Sequence, residues 1–179
     1  MSIFVISDTH FGHEKILSFK RPDGELLRPF PSIETMHETI VEQWNSTVGP
    51  KDTVYHLGDV ATCRRSLRIL DRLNGKKVLV KGNRDKLPWV EYLWYFTEIH
   101  GVIYHDDLIL SHIPVHEGSF VGGLRGNVHG HLHCHLVKDA RYFNACVERH
   151  AYKPVAWEEI RAYFACGHDR ASHLQHSAP

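Results

Sequence analysis

Three short apolar runs set the frame of this chain. "SIFVIS" (2–7), "DTVYHLGD" (52–59) and "KKVLVKGN" (76–83) have the length and residue types of buried strands, and each runs out into polar residues or glycine. The intervals between them have helical patterning. "SIETMHETIVEQWNSTV" (32–48) offers Ser32 and Thr35 as caps and repeats Ile33, Met36, Ile40, Val41 and Trp44 at helical spacing. "CRRSLRILDRLNG" (63–75) sets Leu67, Leu70 and Leu73 on one face and stops at Asn74-Gly75. Strand, helix, strand, helix, strand predicts parallel pairing through helical crossovers.

The second half reads differently. "FTEIHGVIYHDDLILSHI" (96–113) is expected to form two strands joined at Asp106-Asp107. "GNVHGHLH" (126–133) and "RYFNACV" (141–147) read as further strands, and "VAWEEIRAYFA" (155–165) as a final helix after Pro154. This gives one domain over 1–166, followed by a polar tail, 167–179, expected to be disordered. The pattern alone implies an α/β fold with a mixed sheet, helices flanking its parallel part.

Polar residues gather where these strands end. Asp8 and His10 follow the first, Asp59 the second and Asn83 the third. His112 follows the hairpin, and His131 and His133 end the "NVHGH" run. Ligand sites in open α/β sheets lie outside the carboxyl ends of the strands. The i, i+2 spacing of Asp8/His10 and His131/His133 would put each pair on one side of an extended chain. Gly12, Gly58, Gly82 and Gly130 stand beside these residues, where tight turns or close backbone approach are expected.

Composition narrows the chemistry. The chain has 16 histidines in 179 residues, and clusters of histidine with aspartate point to metal. Lys+Arg and Asp+Glu balance at 21 each, so overall charge argues neither for a nucleic acid nor for a membrane surface, and a polymeric nucleic acid is not the expected partner. No apolar run approaches the ~18 residues of a membrane span. "MSIFVISDTH" has neither a basic segment nor a long apolar stretch, so no signal peptide is expected. Cys63, Cys134, Cys146 and Cys166 form no CxxC pair and read as reduced thiols of a cytoplasmic protein. Oligomeric state is left open.

Two carboxylates, four imidazoles and one carboxamide, without thiolate, suit Mn²⁺ first, with Fe, Zn²⁺, Ni²⁺ or Co²⁺ as alternatives. Seven ligands exceed one tetrahedral ion and fit two ions about 3.5–4 Å apart that share a carboxylate. Two dications against two carboxylates leave a positive site, for which phosphate is the natural partner. Such ions lower the pKa of a bridging water and hold phosphoryl oxygens for attack.

"DTH" (8–10), "GDV" (58–60), "GNRD" (82–85), "SHIP" (111–114) and "GHLH" (130–133) resemble, in order, the motifs of calcineurin-like metallophosphoesterases. "ISDTHFGHEKI", "RPFPSIETMHETIVEQWN" and "YKPVAWEEI" further resemble a compact bacterial and phage branch of that family, whose members are mostly of unassigned substrate. The resemblance implies a four-layer αββα sandwich of two mixed sheets. It implies that Asp8, His10 and His133 bind one divalent ion, that Asn83, His112 and His131 bind a second, and that Asp59 bridges them. The implied activity is hydrolysis of a phosphodiester or phosphomonoester of a small nucleotide-like substrate.

One position departs from that family. Many members have a histidine after the Gly-Asn pair, and here it is Arg84. Arginine stays charged and cannot serve as a general acid, but its guanidinium clamps phosphate. Asp85 is expected to orient Asn83 or Arg84. His13 is the first candidate proton donor and His116 the second. Arg28, before the long helix, reads as a surface residue. His56, His105 and His129 lie within strands and read as packed groups. Trp89, Trp94 and Tyr95 are either core and surface aromatics or a platform for a base. Cys134-His135 is too sparse for a separate zinc site. The alternatives to an enzyme on small substrates are a scaffold that keeps the fold without catalysis, and a nuclease, which would need a basic track that this chain lacks.

Overall fold

The computed structural model describes residues 1–174. The first sheet contains β1 (Ile3–Ile6), β2 (Thr53–His56), β3 (Lys76–Val80), β4 (Glu98–His100) and β9 (Val155–Ala156), in the order β4-β3-β2-β1-β9. Its pairs are parallel except for β1 with β9. The second sheet contains β5 (Val102–His105), β6 (Leu108–Ser111), β7 (Gly126–His129) and β8 (Tyr142–Asn144), in that order, with β5 antiparallel and the rest parallel.

Alternation along the strands divides the interior in two. In β1, Phe4 and Ile6 face a cluster built with Met36, Ile40 and Trp44 of α1 (Ile33–Thr47). Val5, between them, points the other way and meets Leu57, Val80, Leu110 and Val128 in a second cluster. The two mixed sheets therefore face each other across that second core, and α1 covers the far face of the first. Each fully buried aliphatic side chain here contributes about 1.5–3 kcal/mol. The Ser32 hydroxyl accepts from Thr35 N–H and fixes the start of α1, as expected. On the outside of the second sheet, Asn127 accepts from Val115 N–H and the Tyr142 hydroxyl donates to Val115 O, so the segment after β6 folds back over it.

Four local expectations change. The stretch 96–105 is not one strand: β4 joins the first sheet and β5 the second, with Gly101 between them. The helix expected over 63–75 is one α-turn, α2 (Arg64–Leu67), that tightens into 3₁₀ over Arg68–Arg72. Leu67, Leu70 and Leu73 recur every three residues, which matches three residues per turn better than 3.6. One further turn, α3 (Trp89–Tyr92), lies in the aromatic stretch, where no helix was expected. The last helix, α4 (Trp157–Leu174), runs beyond residue 165 and takes in part of the stretch expected to be a disordered tail. Once Trp157, Ile160 and Phe164 dock it into the inter-sheet core, propagation costs little and no proline stops it. Residues 175–179 of that tail lie outside the described residues.

Candidate metal centre

All seven candidate ligand residues converge where the strands of both sheets end. Asp8, His10 and His133 bring ligand atoms within 4.8 Å of one another, and so do Asp8, Asp59 and His112. Asp59 lies between imidazoles: Oδ2 is 3.6 Å from His10 Nε2 and Oδ1 is 3.6 Å from His112 Nε2. Asn83 Oδ1 is 2.8 Å from His112 Nε2 and 3.1 Å from His131 Nδ1.

The convergence has a different backbone cause from the one expected. Asp8 (φ 61°), His10 (φ 50°), Asp59 (φ 56°), His131 (φ 69°) and His133 (φ 51°) all adopt left-handed conformations, so none sits in extended chain. Each such residue costs of order 1–3 kcal/mol and persists because surrounding structure holds it. Asp8 and His10 still meet, with Nε2 3.4 Å from Oδ1, but His131 and His133 diverge. His131 packs edge-on to His112, and His133 stacks on His10.

Several contacts hold these kinks. Asp8 N–H donates to Gly58 O and His10 N–H to Asp59 O, each at 3.0 Å. Asp8 Oδ2 accepts from Ser7 Oγ (2.6 Å), His131 N–H (2.8 Å) and the Cys146 thiol (3.3 Å). A Cβ on Gly130 would lie 2.0 Å from Ser7 Oγ and 2.5 Å from Asp8 Oδ2, so only glycine permits this approach. Behind them His56 Nδ1 accepts from Gly58 N–H, which leaves Nε2–H to donate to Thr9 Oγ1. Burial pushes the His56 pKa down to about 3.

Arg28 is the largest correction to the sequence reading. It is 0% exposed rather than on the surface. Its guanidinium donates to Asp8 O (2.5 Å), Thr9 O (2.9 Å) and Glu148 Oε1 (2.8 Å). Glu148 Oε1 also accepts from His133 Nδ1 at 2.9 Å, which turns the Nε2 lone pair of that ring toward the centre. Burial alone would raise the Glu148 pKa, but Arg28 and His133 hold it below the ordinary carboxylate range. Burial opposes protonation of His133, and Glu148 outweighs it and raises the pKa. Sequence reasoning missed Glu148, which is 120 residues from Arg28. The one hint was the apolar setting of Arg28, "LLRPF".

The residues fit divalent metal. Asp8 Oδ1 and His10 Nε2 are buried and have no hydrogen-bond partner among the described residues. Burial alone would raise the Asp8 pKa, yet the His10 imidazole, with His112 and His133 near, holds the carboxyl well below its usual range. His112 Nδ1 donates to Leu57 O, so a neutral ring aims the Nε2 lone pair at the oxygens of Asn83 and Asp59. Acceptors that face one another need a cation between them.

Beside these ligands lies a cleft of about 140 Å³ lined by His13, Phe19, Asn83, Arg84 and His131. Burial, then the charges of His10 and Arg84, holds His13 below its ordinary pKa. Arg84 N–H donates to Asp59 Oδ1 at 2.7 Å while the side chain is exposed at the cleft. Asp85 does not orient the side chains of Asn83 or Arg84. Its carboxylate is buried and accepts from the N–H groups of Asp59, Val60 and Gly82, clamping two ligand loops together. A short buried carboxylate satisfies backbone donors of its own turn and of the neighbouring loop. His116 is exposed and accepts from Gly118 N–H. His56 and His129 are packed groups, and Trp89 and Trp94 are exposed. The candidate metal groups among the described residues do not include Cys134 or His135.

Two facing mixed sheets carry a carboxylate and imidazole centre at their strand ends. The chain belongs to the calcineurin-like phosphoesterase family, whose sequence profile matches residues 1–171. An uncharacterized protein of Methanocaldococcus jannaschii is 32% identical over 172 residues, which span 88% of each chain. The gene 66 protein of Mycobacterium phage L5 is 28% identical over 133 residues, 60% of this chain and 61% of its own. The crystal structure of a protein of unknown function from Aquifex aeolicus superposes with a TM-score of 0.70 at 30% identity, covering 90% of this chain and 98% of that one. No helix among the described residues is long and apolar enough to cross a membrane.

Proposed function

We propose that the centre holds two divalent ions, with Mn²⁺ the first choice for its oxygen and nitrogen donors. Asp8, His10 and His133 would hold one, and Asn83, His112 and His131 the other, with Asp59 between them. The observation that carries this reading is the pair of buried, unpartnered atoms, Asp8 Oδ1 and His10 Nε2, beside an Asp59 that reaches toward both groups. When bound, such ions lower the pKa of a water between them and draw phosphoryl oxygens by charge.

The chain's own groups supply the rest. Arg84 clamps a phosphoryl oxygen and stabilises transition-state charge. Asp85 positions both ligand loops without touching substrate. His13 donates a proton to the leaving oxygen. The substrate is a small phosphorylated, nucleotide-like ester; balanced charge supports this over a polymer, and four free thiols support a cytoplasmic setting.

The test is hydrolysis of bis(p-nitrophenyl) phosphate and p-nitrophenyl phosphate by chelator-stripped protein, with each metal restored singly. Turnover that returns with metal is expected, and loss of metal response would sink the reading. The His13→Ala variant should lose more rate on poor leaving groups than on p-nitrophenolate; equal losses would remove His13 as the donor.

A further inference from the structure

A second concavity adjoins the centre on the other side of Asn83. It lies where the two sheets meet, between the end of β3, the Gly101 crossing and the segment after β6, and has a volume of about 340 Å³. Small-molecule sites run from about 300 to 1,000 Å³. Asn83 and His112 form its boundary with the centre, and Asn83 also lines the polar cleft of His13 and Arg84. Asn83 thus borders both spaces, the cleft of His13 and Arg84 and this groove.

The groove is walled by Val102, Ile113 and Val115. Val102 is 41% exposed and Ile113 53% exposed, an arrangement that leaves their surface uncovered by the chain's own fold. Its lining has no acidic residue and one cation, Lys81, whose ammonium lies 4.9 Å over the Trp89 ring. A flat apolar group can pack on the valine and isoleucine side chains while the Lys81 charge favours an adjoining anion.

We propose that this groove is the subsite for one ester arm of the substrate, and that this arm is apolar. This rests on the phosphoesterase reading of the centre. With phosphate beside Asn83, one arm enters the cleft of His13 and Phe19 and the other enters the groove. A monoester fills only one of the two spaces.

The test uses the Mn²⁺-loaded full chain and calorimetric binding of diphenyl phosphate, dimethyl phosphate and inorganic phosphate. Ile113→Asn and Val102→Asn, neutral changes at exposed positions, are expected to weaken diphenyl phosphate about tenfold. Inorganic phosphate, dimethyl phosphate and metal content should stay as in the parent protein. In turnover, KM for bis(p-nitrophenyl) phosphate should rise while p-nitrophenyl phosphate is unaffected. Diphenyl phosphate binding that is unchanged in both variants would overturn the groove assignment, as would equal weakening of inorganic phosphate. A parent protein that binds metal but no inorganic phosphate would remove the phosphoesterase reading itself, and the groove assignment with it.

Discussion

The two sides of the metal centre are held by different means. On the Asp8, His10 and His133 side, two of the three side chains rest on a buried second layer, Asp8 on Ser7 and Cys146 and His133 on Glu148, while Arg28 holds the carbonyls of residues 8 and 9. On the other side, Asn83 is exposed, and His131 makes its side-chain hydrogen bond to Asn83 alone among the described residues. Only His112 there is buried and anchored, through Leu57 O. The braced side is held by the chain's own contacts, whereas the open side lies at the solvent edge. Rigid donors raise affinity by lowering the entropy of ordering, and exposed ones leave room for ligand exchange.

The comparison breaks first at Asp59, which reaches both sides. Asp59→Asn is expected to lower kcat about 10³-fold, measured with metal restored. Near-parent activity would show that the two sides do not depend on a shared carboxylate.

The braced side should be the one whose loss unfolds the protein. Arg28→Ala leaves buried Glu148 with His133 alone, strips the donor from the carbonyls of Asp8 and Thr9, and should cost about 3–5 kcal/mol in chemical denaturation of the metal-free chain. Asn83→Ala, on the open side, should leave that stability within about 0.5 kcal/mol while lowering the number of ions bound. Equal destabilisation by both would erase the distinction. Glu148→Gln keeps the shape and removes the charge; metal affinity should fall about 10- to 100-fold, read by calorimetry.

Smaller effects sharpen the picture. Arg84→Ala is expected to raise KM for a phosphoester about tenfold with both ions retained; metal loss in that variant would make Arg84 structural. His56, behind both loops, gives a pH signature. Its folded pKa of about 3 lies below the ordinary value near 6.5, so the unfolded chain binds a proton that the folded chain refuses. The His56 contribution is complete above about pH 6.5 and falls as pH drops toward 3, by about 1.4 kcal/mol per unit in mid-range. Denaturation of the metal-free chain from pH 7 to 5 should show this slope, and His56→Gln should flatten it. A slope unchanged in that variant would assign it to other groups.

What the sequence revealed was local. The apolar strand runs, the Ser32 cap and the placement of aspartate, asparagine and histidine just past strands depend on neighbours within a few residues, and these matched the structure. The spacing argument for Asp8/His10 reached a correct meeting by a wrong route. It assumed extended chain at positions that the fold holds in left-handed turns, against their own preference. Asp85 shows the same limit: a carboxylate beside Arg84 in sequence is spent on the backbone of Asp59 and Val60, some 25 residues away.

The sequence by itself determined which chemistry is possible here, because side-chain donors and their order along the chain are written in it. Tertiary structure alone decided that Arg28 is buried, that Glu148 stands behind His133, and that a groove opens between the ends of two sheets. Those facts depend on burial and on contacts between residues as far apart as Asp8 and Cys146, 138 positions along the chain. Local spacing contains no term for such distances. The energy that fixes them comes from closing the whole interior at once.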